Sequence, residues 1–411
     1  MPTALASSPL PPLTLLHSAD WQIGKPYGRV QDPDKRALLR QVRLQAIGRI
    51  ATHAASTGAN LVAVAGDLFD SPTPGRADVS AVCAAIGSIP CPVLVIPGNH
   101  DHGGPGSVWH SPYFQAEQLR RAPNLQVLLE PAPLELEAAV ILPCPLLRRS
   151  DSADPCGWLH SVNWAQLPAD KPRVVIAHGS VHGFAAPDLD RSGDGANNRL
   201  RLEGPWLDQV DYVALGDWHG VKQVAEKVWY SGSPEPDRFP RSHDYRSGLV
   251  LQARIGRGLN PQVTPLGTGV LGWHPLRVEL HQDGDLDRLE DQLDSLLGGR
   301  IGSDLLLLEV GGSLSLAGHR RYGALLERLE AQLLRLKLRG RCEAAPGEAE
   351  LAELTQRPCD PLVARVAGEL QQAIATGAGI GDEALGANGL DPALLRLALC
   401  ELHQTVGQLQ G

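Results

Sequence analysis

Long apolar stretches are missing from this sequence, and that argues against a helical membrane protein. No run approaches the roughly 20 consecutive apolar residues that a spanning helix needs. The first twelve residues have no Lys or Arg ahead of an apolar segment, unlike a secretory signal. We therefore expect a cytoplasmic protein without membrane contact, and a short disordered leader over residues 1–12.

A basic surface and a disulfide framework are also missing. The 46 acidic residues outnumber the 37 Lys and Arg residues, and the formal net charge is -9. The chain as a whole therefore lacks a basic coat for nucleic acid, although local basic patches remain compatible with this balance. Seven cysteines occur without any CxxC pair, which favours small core residues over disulfides or a zinc site.

Apolar runs alternate with amphipathic stretches in the first part of the chain, and this pattern predicts an α/β domain. Five of these runs are rich in Val, Ile, Leu and Ala, and each ends in a burst of Asp, His, Asn or Gly. We predict strands that deliver these polar residues at their carboxyl ends, where open α/β sheets place their sites. The five runs are LTLLHSAD, NLVAVAGDLFD, CPVLVIPGNHD, RVVIAHGS and VDYVALGDWHG.

A chain of 411 residues is too long for a single hydrophobic core, so we predict several domains. Further strands and a second sheet are expected over about 225–280. The sequence pattern changes near residue 281, where an apolar run stands between amphipathic stretches. Residues 319–341 have the pattern of a basic helix. Two more helices begin at Asp-Pro pairs, which make good helix starts. The boundaries are a first domain over 13–275, a small α/β capping domain over 276–345 and a helical region over 346–411.

The order of the five polar bursts is more informative than any one of them alone. Singly, each is explained as well by a helix cap or a turn. Together they read D-x-Q, G-D-x-x-D, G-N-H-D, H and G-D-x-H. This order closely resembles the signature of the calcineurin-like metallophosphoesterases, whose usual form is D-x-H, G-D-x-x-D, G-N-H-D/E, H and G-H-x-H. The resemblance covers residues 15–220 and implies a double β-sandwich flanked by helices, with two divalent metals between strand ends.

The resemblance also implies a role for each matching residue. His100 would act as general acid or transition-state donor, oriented by Asp70 or Asp101. Asp67 would bridge the two ions. The first ion would be held by Asp20, Gln22, Asp67 and His219. The second ion would be held by Asp67, Asn99, His178 and Asp217.

Two positions depart from the family pattern. Gln22 replaces the His of D-x-H, and Asp217 replaces the first His of G-H-x-H. Oxygen-rich sites favour hard ions, so we expect manganese, or magnesium, over zinc or iron. The added carboxylate cancels positive charge near the phosphate and is expected to lower activity. A degenerate, inactive site is the alternative.

Within the superfamily, the HSADWQIG start, the added module and the helical tail resemble the SbcD-type DNA repair exonucleases. That resemblance implies DNA as substrate, an SbcC-like coiled-coil ATPase docking on the C-terminal helices, and a homodimer. Several cationic or aromatic residues near the motifs are candidates for contact with the phosphate backbone, although a solvated turn explains them equally well. These are Lys25, Tyr27, Arg238, Arg241 and Arg246.

Three functions are thus left open. The first is a two-metal DNA nuclease working in repair or processing. The second is a phosphatase or cyclic-nucleotide phosphodiesterase for a small molecule, against which the added module argues. The third is a catalytically weak scaffold that binds DNA or an ATPase.

Overall fold

A computed structural model describes residues 12–181, 197–240, 242, 244–345, 347–376 and 391–408. The chain divides into two compact units, Met1–Leu271 and Gly272–Gly411. Both units combine helices with β-sheets, and the chain closes with helices, so the predicted α/β fold with a helical tail is confirmed. The predicted leader lies outside the described residues apart from Pro12.

The described strands of the first unit form two six-stranded sheets and one two-stranded ribbon. In chain order they are β1 (Leu13–Ser18), β2 (Leu61–Ala65), β3 (Val93–Ile96), β4 (Leu125–Val127), β5 (Leu134–Glu135), β6 (Val140–Cys144), β7 (Arg173–His178), β8 (Ser180–Val181), β9 (Arg199–Leu200), β10 (Tyr212–Gly216), β11 (Lys222–Ala225), β12 (Val228–Tyr230), β13 (Leu249–Ile255) and β14 (Gln262–Gly267). All five strands predicted from the polar bursts are present, as β1, β2, β3, β7 and β10.

Each large sheet of the first unit has a run of four parallel strands, with antiparallel pairing at one edge of the first sheet and at both edges of the second. The first sheet has the order β14-β13-β1-β2-β3-β4, in which β1 to β4 run parallel. The second has the order β11-β12-β10-β7-β6-β5, in which β12, β10, β7 and β6 run parallel. Parallel neighbours end at the same edge, so the polar bursts of adjacent strands are brought together.

The two sheets pack face to face. Successive side chains of a strand point to opposite faces, so each strand contributes to two layers of the core. Leu15 of β1 joins a buried cluster that also contains Ile176 of β7, between the two sheets. Its neighbour Leu16 faces the other way and packs in a second cluster with Ile47 and Val82, from two helices. The first unit is therefore a β-sandwich with helices on the outside of the first sheet.

Three helices of the first unit follow strands of the first sheet. They are α1 (Pro33–Thr57), α2 (Arg76–Ile86) and α3 (Pro112–Arg121). The first helix begins after Asp32, whose side chain accepts hydrogen bonds from the N–H groups of Asp34 and Lys35, and it ends at Gly58 in the left-handed conformation. Both are common signals for the start and the end of a helix.

The second unit has a parallel sheet of β15, β16 and β17, with β18 paired to the end of β16. Leucines of α4 and α5 form its core together with those of β16. Its elements are β15 (Trp273–Leu280), α4 (Gly284–Leu297), β16 (Leu305–Leu314), α5 (Leu316–Gln332), β17 (Arg335–Gly340), β18 (Glu343–Ala344), α6 (Glu348–Thr355), α7 (Pro361–Thr376) and α8 (Pro392–Gln408).

The prediction of one basic helix over 319–341 is wrong. The helix ends at Gln332, and Arg335–Gly340 is a strand that runs parallel to β16. Within that strand, Leu336 and Leu338 alternate with charged residues. A period of two is the pattern of a strand, and pairing with β16 satisfies the backbone hydrogen bonds that a longer helix would have formed internally.

The helices α6, α7 and α8 share a core with the rest of the second unit. Leu354, Leu370 and Leu399, one from each helix, lie in a buried cluster with Leu316 and Ala344. Among the described residues, no helix is long and apolar enough to cross a membrane. All seven cysteines are free, and six are buried, as expected for small core residues.

Candidate metal centre

Strand ends from both sheets of the sandwich meet at one place in the first unit. Asp20 and Asp67 follow β1 and β2, which are neighbours in the first sheet. His178 ends β7, and Asp217 follows β10, its neighbour in the second sheet. Because the sheets face each other, the polar ends of these four strands converge.

The backbone at this convergence is strained. Four residues that are not glycine have φ in the left-handed region: Asp20 (55°), Gln22 (44°), Asp67 (56°) and Asp217 (99°). Such a conformation costs on the order of 1–3 kcal/mol per residue, and it persists only where the surrounding structure imposes it. All four are predicted ligands, so the strain serves to turn their side chains toward one point.

Two motif glycines are required by close packing around the ligands. A Cβ on Gly66, which has a φ of 87°, would lie 2.2 Å from Nδ1 of His178. A Cβ on Gly98 would lie 2.2 Å from Oδ1 of Asp67. The G of G-D-x-x-D and the G of G-N-H-D are therefore needed because a larger residue would displace a ligand.

Asp20, Asp67 and His178 form the buried centre of the site. One ligand atom from each lies within 4.8 Å of the others. Nδ1 of His178 lies 2.8 Å from the carbonyl oxygen of Ala65. A carbonyl oxygen only accepts, so Nδ1 carries a proton, and Nε2 presents a lone pair to the site once it is deprotonated.

The other predicted ligands of the second ion surround Nε2 of His178. Oδ1 of Asn99 lies 3.2 Å away, Oδ1 of Asp67 lies 3.7 Å away and Oδ1 of Asp217 lies 3.9 Å away. Asp217 is held by a hydrogen bond of 2.8 Å from the Ser180 hydroxyl. With a neutral ring these are all electron-pair donors directed at one another, which is the arrangement that a cation between them stabilises.

The electrostatics of the cluster also fit a cation. Burial disfavours the charged form of His178, but the carboxylates of Asp67, Asp20 and Asp217 outweigh it and raise the pKa of His178 to about 9. Burial, with the carboxylates of Asp67 and Asp217, raises the pKa of Asp20 well above its ordinary value. Within the described part of the chain, no Lys or Arg forms an ion pair with these three carboxylates, and a divalent ion would balance their charge.

His219 approaches the centre from the first-ion side. Its Nε2 lies 3.9 Å from Oδ1 of Asp20. Its Nδ1 lies 3.0 Å from Oδ2 of Asp237, a buried carboxylate that fixes the ring, as carboxylates commonly do for metal-binding histidines. Asp237 was missed in the sequence because it stands in an Arg-rich segment after the last motif. The only feature that could have pointed to it is its position as an acidic residue close to that motif.

Gln22 is brought to the same place, but its amide oxygen is engaged elsewhere. Nζ of Lys25 donates a hydrogen bond of 2.6 Å to Oε1 of Gln22. The amide nitrogen of Gln22 lies 3.5 Å from Nε2 of His219.

His100 lies beside the centre with its side chain 38% exposed. Its backbone N–H donates to Oδ1 of Asp67 at 2.9 Å, and its Nδ1 lies 3.1 Å from the carbonyl oxygen of Asp70. A carboxylate oxygen of Asp70 is 3.9 Å from the same Nδ1. The ring is thus held through Nδ1, and Nε2 is left to meet a substrate.

Asp101 has a different environment from Asp70. It is fully buried, and its two carboxylate oxygens accept hydrogen bonds from the N–H groups of Gly98 and Phe69, at 2.7 and 3.0 Å. It therefore joins the loop after β2 to the loop after β3. Of the two carboxylates predicted to orient His100, Asp70 is the one beside its ring.

The candidate phosphate contacts divide into three groups. Lys25 and Arg238 both form ion pairs with Asp237, at 3.1 Å, next to the centre. Tyr27 turns inward, where its hydroxyl accepts a hydrogen bond of 2.9 Å from Arg43. Arg246 is exposed.

Two further candidates cannot be placed. Arg241 and His182, a histidine four positions after His178, lie outside the described residues. His17 is described and does not face the centre. Its ring nitrogens lie 3.0 Å from the Tyr212 hydroxyl and 3.1 Å from the Leu215 carbonyl, and burial lowers its pKa to about 3.

Comparison with known proteins agrees with this geometry. A family model described as calcineurin-like phosphoesterase matches residues 13–244, more than half of the chain and every predicted ligand. A solved structure matches over 62% of this chain and 99% of its own, with 10% sequence identity and a TM-score of 0.37. That similarity is too remote to inform the function, whereas the family match covers the whole metal centre.

Proposed function

This chain belongs to the calcineurin-like phosphoesterase family of metal-dependent hydrolases, and from that premise we propose that it cleaves the phosphodiester bonds of DNA. We propose further that it is the nuclease subunit of an SbcD-type system for DNA repair or processing. The observation that carries the hydrolytic function is the buried group of Asp20, Asp67 and His178 beside a half-exposed His100.

The residues around the centre have separate tasks in such a reaction. Asp67, Asn99, His178 and Asp217 would hold a divalent ion, which would supply Lewis acidity and favour ionisation of an attacking water. His100, held at Nδ1 by the Asp70 carbonyl oxygen, directs Nε2 outward to donate a proton to the leaving oxygen.

Manganese or magnesium is the proposed metal. Oxygen atoms supply three of the four ligands at the second position, from Asp67, Asn99 and Asp217, and a single imidazole supplies the fourth. Hard divalent ions prefer such sets, whereas zinc prefers more nitrogen or sulfur.

The choice of DNA is supported by the cations near the centre. Lys25 and Arg238 provide positive charge where a phosphate chain would be met. In the second unit, however, Arg321, Arg328 and Arg339 form ion pairs with acidic side chains on its surface. These pairs reduce the net positive charge available there, so the residues at the centre are the stronger support.

One assay tests the substrate. The full chain is incubated with Mn²⁺ and, in turn, single-stranded DNA, duplex DNA with free ends, and bis-p-nitrophenyl phosphate. We expect DNA cleavage that is lost in Asp67→Ala and reduced in His100→Ala, and retained in the matched control His53→Ala, which lies on α1 away from the centre. Hydrolysis of the small ester without DNA cleavage would select a small-molecule phosphoesterase, and inactivity toward all three substrates would select a binding scaffold.

A partner is proposed for the second unit. On α8, Leu395 and Leu399 point into the core, whereas Leu394 and Leu397 are 53% and 49% exposed. The exposed pair, spaced three residues apart on one side of the helix, lines a cavity of about 380 Å³. Apolar pairs at this spacing are typical of helix-in-groove contacts, so we propose that this face of α8 binds an SbcC-like coiled-coil ATPase.

The partner proposal needs point variants, because α6 to α8 belong to the core of the second unit and their deletion would damage folding. Leu394→Glu combined with Leu397→Glu is expected to abolish co-purification with the ATPase while DNA cleavage by the free chain persists. Leu259→Glu, at a still more exposed leucine of the first unit, is the control. Unchanged binding by the double variant would contradict this docking face.

A further inference from the structure

Lys25 occupies an unusual place among the residues of the first-ion position. Its Nζ lies 2.6 Å from Oε1 of Gln22, 3.1 Å from Oδ2 of Asp237 and 3.9 Å from Oδ1 of Asp70. The backbone contributes to this placement, since the N–H of Lys25 donates to the carbonyl oxygen of Gln22 at 3.2 Å and closes a tight turn. The side chain is 23% exposed, so the ammonium group is partly shielded from water.

The contact with Lys25 places a cation against the one ligand atom of the Gln22 side chain. Oε1 is the one atom of the Gln22 side chain with lone pairs for a cation, and it accepts from the ammonium group. Rotating the amide would place its NH₂ donors against the donors of Lys25. In the observed orientation the NH₂ group faces Nε2 of His219 at 3.5 Å, so it also lies against the lone pair of the second ligand.

The charges around the two ion positions also favour metal binding at the second position over the first. Arg238 contacts the His219 ring, with Nη2 3.0 Å from Nδ1, and pairs with Asp237. The first position therefore has the cations of Lys25 and Arg238 in contact with its ligands and their partners. At the second position, Asp67 and Asp217 form no ion pair with Lys or Arg in the part of the chain that the structure describes. A divalent ion therefore meets more competing positive charge at the first position than at the second.

We propose that Lys25 acts as an internal cation that competes with the metal for Gln22, and that the resting protein consequently holds one divalent ion, at the second position. The first position binds a second ion only weakly. The inference rests on the metal centre of the proposed function and is independent of DNA as the substrate.

Titration of the metal-free full chain with Mn²⁺ tests the proposal, by calorimetry and by electron paramagnetic resonance. For the wild type we expect one tight event and a second event at least tenfold weaker, with the spectrum of an isolated Mn²⁺ ion at one equivalent. In Lys25→Met, the second event is expected to strengthen at least tenfold, and a spin-coupled pair of Mn²⁺ ions appears at two equivalents.

Matched variants separate this effect from general damage. Lys171→Met is the control, because Lys171 also binds a carboxylate and a carbonyl oxygen and is similarly shielded, but pairs with Glu135. It is expected to leave both events unchanged. Adding Gln22→Met to Lys25→Met removes the released oxygen ligand and is expected to reduce the gain. Lys25→Gln serves as a second test if the methionine variant does not fold.

Two equal events in the wild type would overturn the proposal, and so would a second event that is unchanged in both Lys25 variants. Neither result depends on nucleic acid. A protein that showed the unequal events but cleaved no DNA would refute the proposed substrate while supporting the role of Lys25.

Discussion

Nη1 of Arg43 donates a hydrogen bond of 2.8 Å to the carbonyl oxygen of Trp21, the middle residue of the D-x-Q motif. The same guanidinium donates to the carbonyl oxygen of Glu235 at 3.1 Å and to the hydroxyl of Ser233 at 3.3 Å. Arg43 is only 2% exposed. It therefore ties the strained loop after β1 to the segment that presents Asp237 to the metal centre.

Arg43→Met is expected to destabilise the first unit and weaken metal binding. The Trp21 carbonyl oxygen would lose its donor at a cost of about 1–3 kcal/mol, whereas the Glu235 carbonyl oxygen keeps a donor in the Ser233 hydroxyl, so we expect a loss on the order of 1–3 kcal/mol. Arg43→Lys should recover only part of it, because an ammonium group does not reproduce the planar fork of donors. Urea denaturation and Mn²⁺ titration measure the two effects.

The control for Arg43 is Arg40→Met, one turn earlier on the same helix. Arg40 is exposed and makes a single long hydrogen bond, 3.4 Å to the Pro26 carbonyl oxygen. Its replacement is expected to change the free energy of unfolding by no more than about 0.5 kcal/mol. Equal stability of the Arg43 and Arg40 variants would show that the buried network is not needed.

The sequence predicted the part of the centre that follows from strand ends. Asp20, Asp67 and His178 each stand directly after or at the end of a strong apolar run, and parallel strands bring such residues to one edge. Asp237 could not be found this way, because it lies in an irregular segment placed by hydrogen bonds rather than by a strand. Arg43 did leave a signal: it stands four residues from both Leu39 and Ile47, on the buried face of its helix.

The error over residues 319–341 has a similar physical origin. Neither Gly nor Pro stands between Gln332 and Gly340 to mark the end of α5, and the two leucines Leu336 and Leu338 form too short a run for their period of two to indicate a strand. What ends it is pairing with β16, a long-range contact that local spacing does not report.

Gly66→Ala is expected to displace the His178 ring and so disrupt the metal centre. The added methyl group would lie 2.2 Å from the His178 ring, and the left-handed φ of 87° disfavours alanine independently. Overpacking of this kind costs about 1–3 kcal/mol, and the displaced imidazole should lower Mn²⁺ affinity at least tenfold. Gly28→Ala, at a position with open space around its Cβ, is the matched control and should leave both quantities unchanged.

A pH-dependent contribution to stability is expected from Asp304 in the second unit. Burial alone would raise its pKa, but hydrogen bonds from Arg300, His274 and the N–H of Gly272 hold the pKa of this carboxyl below its ordinary value. Because the folded pKa is depressed, the stabilisation is present above the ordinary value near 4 and is lost as the pH falls through the folded pKa.

Denaturation of wild type and Asp304→Asn between pH 6 and about pH 2.5 tests this sign. The difference in stability between them should be largest at pH 6 and shrink as the medium is acidified below about pH 4. Asp294→Asn, at an exposed carboxylate of α4, is the control and should follow the wild type. A difference that grew on acidification would contradict the ion-pairing role of Asp304.

The two departures from the family signature are expected to set both metal preference and rate. Gln22→His and Asp217→His each replace an oxygen donor with an imidazole, and Asp217→His also removes a negative charge beside the phosphate. We expect each to raise Mn²⁺-dependent hydrolysis roughly tenfold, which corresponds to about 1.4 kcal/mol of barrier, and the pair to retain zinc after purification. Hydrolysis rates and metal analysis of the two single variants and the double variant measure this.

Because Lys25 engages Gln22 but not Asp217, the gain from Gln22→His should increase further when Lys25→Met is added, whereas the gain from Asp217→His should combine with it additively. Unchanged rates in all three histidine variants would mean that oxygen donors serve this centre as well as imidazoles do.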